Sequence, residues 1–237
     1  MQAKQVDYYQ GGRRFVGYLA WDERRENRRP GVVVFPEAFG LNEHAKLVAQ
    51  RLATMGYVAL AADPHGEGVI YDDFSELMGV IGSYQSDRSG WRGRANAALA
   101  ALTAQPNVDR NNVVAIGYCF GGTTCFELAR CGAQLRAVAT FHAGLNAPLP
   151  EDAGRLRTKV LICHGADDPV VSQDAVSDIM TELRAAKVDW QLVQYGGAVH
   201  SFSNPEADKR GITGIAYNAQ AHERSWVALT QLLDEVF

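Results

Sequence analysis

Gly31-Val32-Val33-Val34-Phe35-Pro36 is apolar without interruption. A strand facing water on one side alternates polar and apolar residues. A strand without that alternation has both faces covered, as in a parallel sheet between two helical layers. The same kind of run recurs at Tyr57–Ala62, Asn112–Gly117, Arg136–Phe141, Lys159–His164 and 189–195. Helical patterns lie between the runs. Asn42 caps a helix in which Val48, Leu52 and Met55 share a face and Gly56 ends the element. Further helices are predicted over roughly 91–104, from Phe120 to about Cys131, and over about 172–186. A last one carries Trp226, Leu229, Leu233 and Val236 on one side. Alternation of this kind predicts an α/β fold with a mostly parallel sheet and helices on both faces.

At the N-terminus, Tyr8 to Leu19 reads as a hairpin turning at Gly11-Gly12. Residues 64–90 carry five glycines and no clear period. They read equally as a covering over a site or as a solvent-facing loop. No repeat or linker interrupts the pattern, so residues 1–237 are read as one domain, long enough for a single large core.

The composition excludes several classes of function. A net charge of −4 with no Lys/Arg cluster argues against nucleic acid. The run Glu23-Arg24-Arg25-Glu26-Asn27-Arg28-Arg29 is mixed in sign and reads as a solvated turn. No stretch approaches the ~18 apolar residues of a membrane span. The first residues lack a signal-peptide core, so a cytoplasmic protein is expected. The four cysteines show no zinc or CxxC spacing, and no two histidines are spaced as zinc ligands. Free thiols and no metal or other cofactor are expected. Cys125, Cys131 and Cys163 read as small core residues.

Cys119 differs from these three. Gly117-Tyr118-Cys119-Phe120-Gly121-Gly122 follows an apolar strand and opens a helix. This is the G-x-nucleophile-x-G elbow of the α/β-hydrolase fold, with cysteine in the place usual for serine. The turn is sharp, and the flanking glycines let strand and helix approach. The sulfur is lifted to the carboxyl edge of the sheet at a helix N-terminus, where the dipole favours thiolate.

Such an elbow predicts an acid and then a histidine, each just after a later strand. Asp167-Asp168-Pro169-Val170-Val171 follows the strand 159–164, and Asp168 is chosen over Asp167 for its Asp-Pro-Val-Val context. His200 follows the strand 189–195. It would take the thiol proton and return it to the leaving group, with Asp168 fixing its tautomer. His142 and His164 each end a strand near the same edge. His44, His65 and His222 need no function.

The oxyanion hole would use the Phe120 N–H and a second donor from the loop Phe35–Asn42, for which Ala38 is the candidate. Glu37 is an unexpected carboxylate in that apolar loop. Taken together, Glu37-Ala38-Phe39-Gly40-Leu41-Asn42, the elbow, Asp168 and His200-Ser201-Phe202 resemble the dienelactone hydrolases, in order and over essentially the whole chain. The resemblance implies a Cys-His-Asp triad that opens enol-lactones or related esters without a cofactor. It also implies that Glu37 holds the resting thiol until substrate displaces it. The family's carboxylate-binding arginine, four residues after the histidine, is Asn204 here, and Arg88, Arg92 and Arg94 are the remaining candidates for that charge. This departure leaves neutral or bulkier esters at least as open as carboxylated lactones, with activated aryl esters and phosphotriesters as side substrates. Phe39, Tyr71, Trp91, His142 and Phe202 are the expected substrate-binding residues. Phe74 and Tyr84 are further candidates for the pocket.

The expected partner is a small ester or lactone, and the expected assembly is a monomer or homodimer. Acyl transfer through the same triad is the first competing activity. A non-catalytic ligand-binding homologue is the second, and such proteins typically lose a triad member. A redox thiol protein is the third. It would want a resolving cysteine close by, whereas Cys125 lies ~9 Å further along the helix on another face.

Overall fold

The computed structural model describes residues 1–24 and 27–237. Two strands form the N-terminal hairpin, β1 (Gln2–Gln10) and β2 (Arg13–Trp21), joined through Gly11 and Gly12, both at positive φ. Six more strands follow. They are β3 (Arg29–Phe35), β4 (Val58–Ala61), β5 (Val108–Tyr118), β6 (Ala137–Phe141), β7 (Lys159–Gly165) and β8 (Trp190–Tyr195). They make one eight-stranded sheet in the order β1-β2-β4-β3-β5-β6-β7-β8. Every pairing from β4 through β8 is parallel, and only the pairs made by β2 are antiparallel. This is the α/β-hydrolase architecture that the sequence pattern predicts.

The helices are α1 (Glu43–Met55), α2 (Phe74–Ser86), α3 (Arg88–Thr103), α4 (Phe120–Arg130), α5 (Gln173–Ala186) and α6 (Ala219–Val236). Alternate residues of each central strand feed opposite layers. Val32 and Val34 pack with α1 and α6, beside Leu52, Leu229 and Leu233. Val33 and Phe35 pack with α3, α4 and α5, beside Leu102, Phe126 and Leu183. The continuous apolar runs are thus explained by two cores, one on each face of the sheet. Asn42 caps α1 by accepting from the Ala45 N–H, and Gly56 closes it at φ 106°. Met55 departs from the predicted apolar face. It lies on the last turn and is exposed.

Two further readings are corrected. Residues 74–86 form α2, capped by Asp73, whose carboxylate accepts from the Glu76 N–H. Gly79 and Gly82 weaken its helical signal, and a Cβ at either would meet nothing within 4 Å, so packing does not demand them. The Asp-x-x-Glu start was the available signal. In the mixed-charge run, Arg25 and Glu26 lie outside the described residues. Arg29 is no solvated turn residue: it starts β3, is buried, and donates from Nη1 to the Asp22 carbonyl at 2.9 Å. Among the described residues, no helix is long and apolar enough to cross a membrane.

Candidate active site

Neighbouring strands β3 and β5, together with β7 and β8, deliver four segments to one edge of the sheet. These segments carry Glu37-Ala38, Cys119, Asp168 and His200. Loops at the carboxyl ends of parallel strands are where such folds place ligands. Cys119 sits between β5 and α4 at φ 53° and ψ −117°, a conformation costly for any residue with a Cβ. The tight packing around the elbow enforces it. A Cβ on Gly117 would stand 2.0 Å from the Gly121 carbonyl oxygen, and one on Gly121 would stand 2.1 Å from that of Phe35. Glycine at both positions is therefore a steric requirement of the elbow.

His200 Nε2 lies 3.1 Å from Cys119 Sγ, and His200 Nδ1 lies 2.8 Å from Asp168 Oδ2. Asp168 is buried, and its other oxygen accepts from the Val170 N–H at 2.8 Å. Asp167 is exposed and accepts from the Gly197 N–H at 2.7 Å, bracing the turn that leads to His200. Burial works against a charged His200 ring. The Cys119 sulfur and the Asp168 carboxylate outweigh it, pushing the imidazole up to about 10. The arrangement is suited to holding a thiolate beside an imidazolium.

Ala38 and Phe120 flank Cys119. Among the described residues, no protein acceptor engages the backbone N–H of either. Glu37 is buried, and its carboxylate accepts from Asn42 Nδ2 and Asn204 Nδ2 and pairs with His44 Nδ1, each at 2.9 Å. Burial opposes its charge, but His44, Asn42 and His142 hold the carboxyl well below the usual carboxylate range. Its hydrogen bonds therefore run to this polar group, while the Cys119 sulfur is paired with His200. Sequence reasoning gave His44 no function and Asn42 only a capping one. Their closeness to Glu37 along the chain was the signal that could have found them.

The cleft above the sulfur has a volume of about 500 Å³. Phe39 and Trp91 line it as expected, and so does Phe74, with Leu77, Met78 and Ile81 of α2 forming one wall. Val170 and Val171 of the Asp-Pro-Val-Val segment, with Leu145 and Ile215 from the loops after β6 and β8, complete it. Two expected substrate contacts, Phe202 and His142, lie elsewhere. Tyr71 is half-buried in the cluster that holds Ala38, Phe39 and Phe120 beside Cys119, with its ring against His65. Phe202 is fully buried in the core between His142 and Tyr195. His142 is fully buried behind His200, with Nε2 2.8 Å from Ser203 Oγ, and burial and His200 hold it neutral. Tyr84 lies beneath the cleft rather than on its surface, against Phe120 and Trp91. His164 is likewise buried, and Cys131 is only half-buried at the end of α4.

The arginines considered for a substrate carboxylate are already engaged. Glu127 is fully buried and takes ion pairs from Arg88, Arg92 and Arg130. Arg92 also forks onto Asp152 with two bonds of 2.7 Å, and Arg130 onto Glu182. Arg94 stacks on Tyr84, its guanidinium carbon 4.6 Å from the ring centroid. Asn204 is tied to Glu37. Arg210 is exposed, its guanidinium carbon 3.3 Å from the ring centroid of Phe39, which lines the cleft.

Comparison with known proteins shows the family. The family model described as "Dienelactone hydrolase family" matches residues 15–237. The crystal structure of a dienelactone hydrolase-like promiscuous phosphotriesterase from metagenomic libraries is 54% identical, with a TM-score of 0.98. That match covers 100% of this chain and 98% of that one. A solved structure named m3DLH is similar at 53% identity and a TM-score of 0.98, over the same shares of the two chains. A Saccharolobus solfataricus protein named "Putative carboxymethylenebutenolidase" is 25% identical over 98% of each chain.

Proposed function

This chain belongs to the dienelactone hydrolase family and is a hydrolase, and from that premise we propose that it cleaves neutral, apolar esters or lactones through Cys119. The observation that carries this reading is the hydrogen-bonded series Cys119–His200–Asp168 opening into an apolar cleft. The Cys119 thiolate attacks the carbonyl carbon, and the oxygen takes up negative charge between the N–H groups of Ala38 and Phe120. Collapse breaks the bond to the leaving oxygen, which receives the proton from His200 Nε2, and a thioester remains. His200 then takes a proton from water, whose oxygen attacks the thioester. The acid is released and the thiolate restored.

The engagement of the candidate carboxylate-binding residues supports a preference for neutral substrates. Arg88 and Arg92 are held by Glu127 and Asp152, and Asn204 by Glu37, so no arginine among those three positions awaits a substrate carboxylate. The same thiolate and donors suit attack on the phosphorus of an uncharged aryl phosphotriester, with the phenoxide leaving. The phosphotriesterase named among the similar structures supports this side activity. The test is rapid mixing with an aryl ester, followed by quenching and mass measurement. A phenol burst with acyl mass on the Cys119 peptide is the expected result. Turnover in the steady state with no adduct, even at early times, would count against a covalent route. Turnover of carboxylated lactones with none of neutral aryl esters would reverse the substrate assignment.

Glu37 acts on the thiol in this reading. It lines the same cleft and stays charged through the working pH range. A nearby negative charge disfavours a thiolate, so Glu37→Gln favours it. The pH profile of Cys119 alkylation by iodoacetamide is expected to move to lower pH in that variant. An unmoved profile would leave Glu37 with a purely structural role.

A further inference from the structure

His65 lies outside the triad, yet it touches both residues proposed to form the oxyanion hole. Its Nε2 is 2.6 Å from the Ala38 carbonyl oxygen, and its ring is stacked on that of Phe120, with centroids 6.3 Å apart at 28°. The Ala38 carbonyl only accepts, so Nε2 must carry hydrogen. Nδ1 then faces the Tyr84 hydroxyl oxygen at 3.1 Å, the hydroxyl donating its single hydrogen to the Pro64 carbonyl at 2.6 Å. Burial keeps the ring neutral, consistent with one hydrogen and one lone pair.

The histidine is itself held rigidly. The Asp63 carboxylate, buried at the end of β4, accepts from the N–H groups of Val16, His65, Gly66 and Gly68 at 2.9–3.0 Å. Gly66 is at φ 85°, so the loop makes a turn that other residues would resist. Trp91 also stacks on Phe120, face to face at 4.7 Å and 3°, and its Nε1–H donates to Thr124 Oγ1. Phe120 is thus packed against both rings, one of which also fixes Ala38.

We propose that His65 is the positioning residue of the oxyanion hole: by donating to the Ala38 carbonyl while stacking on Phe120, it sets the separation of the two N–H donors. This rests on the hydrolytic reading above. Donor alignment matters steeply in a preorganised site, where displacement of about 1 Å costs on the order of 100-fold in rate. A purely structural histidine would affect every reaction of Cys119 alike. A positioning one would affect only reactions that develop an oxyanion.

The experiment exploits that difference. Aryl-ester kcat and KM, and the rate of Cys119 alkylation by iodoacetamide, are measured for wild type, His65→Leu and His65→Gln, and ester turnover alone for Cys119→Ala. Alkylation occurs at a saturated carbon and forms no oxyanion. His65→Leu is expected to lower kcat roughly 10- to 100-fold, with KM and the alkylation rate within about twofold of wild type. His65→Gln, whose amide can still donate to the Ala38 carbonyl, is expected to recover much of the loss. If His65→Leu does not fold, Tyr84→Phe provides the test. It removes the hydroxyl that faces Nδ1 and ties Tyr84 to the Pro64 carbonyl, and is expected to lower kcat about threefold or more at unchanged alkylation. Wild-type kcat in the folded variants would overturn the proposal, as would an equal fall in alkylation. Ester turnover surviving in Cys119→Ala would instead overturn the hydrolytic reading, and this proposal with it.

Discussion

The Cys119→Ala variant is expected to lose aryl-ester and phosphotriester turnover together, by about 10³-fold or more, while remaining folded. The methyl group keeps the elbow's Cβ and removes only the sulfur, so the strained turn between β5 and α4 is unaltered in its demands. His200→Ala is expected to cost as much, because among the described residues its Nε2 is the only titratable nitrogen hydrogen-bonded to the sulfur. Asp168→Asn should be severe and Asp167→Asn mild. The first carboxylate is buried on His200 Nδ1, whereas the second is exposed and braces only a turn. Measuring both activities in each purified variant, with circular dichroism for folding, decides the matter. A folded Cys119→Ala protein that keeps its phosphotriesterase rate while losing esterase would separate the two sites. The reverse ranking of the two aspartates would reassign the acid.

A second large effect is expected far from the sulfur, in Glu127→Leu. Glu127 is fully buried on α4 and balances Arg88 and Arg92 of α3 and Arg130 of its own helix. Removing one member of a buried ion group leaves the others uncompensated and typically costs about 3–5 kcal/mol. Urea unfolding should therefore show a loss of that order. A loss under about 1 kcal/mol would mean that Asp152 and Glu182 suffice for the three arginines. The cluster also reaches the site. Arg130 donates to the Asn146 carbonyl and Arg88 to that of Ala147, each at 2.8 Å, and Leu145 and Asn146 line the cleft. Activity on bulky esters should fall before activity on small ones, because this wall bears on large groups.

Much of the architecture was open to reading along the chain because its causes are local. The strand runs, the Asn42 cap and the Gly56 stop need only near neighbours. The elbow also declares itself locally, since strand, nucleophile and glycines fall within a dozen residues. The triad was legible because the fold fixes which strand ends meet. Helix α2 was hidden by glycines at positions where nothing packs, although Asp73 marked its start.

What sequence alone determined is thus the layer order, the elbow and the residues proposed here as nucleophile, acid and base. Tertiary structure alone decided which polar groups face one another. Arg88 and Arg92 could have met a substrate, but α3 and α4 bring them onto Glu127 instead. Asn204 turns to Glu37, 167 residues away. Phe202 turns into the core, and His65 reaches the Ala38 carbonyl across 27 residues. The reason is physical. A buried charge or hydrogen-bonding group is costly until it finds a partner, and packing between distant segments decides which partner is within reach.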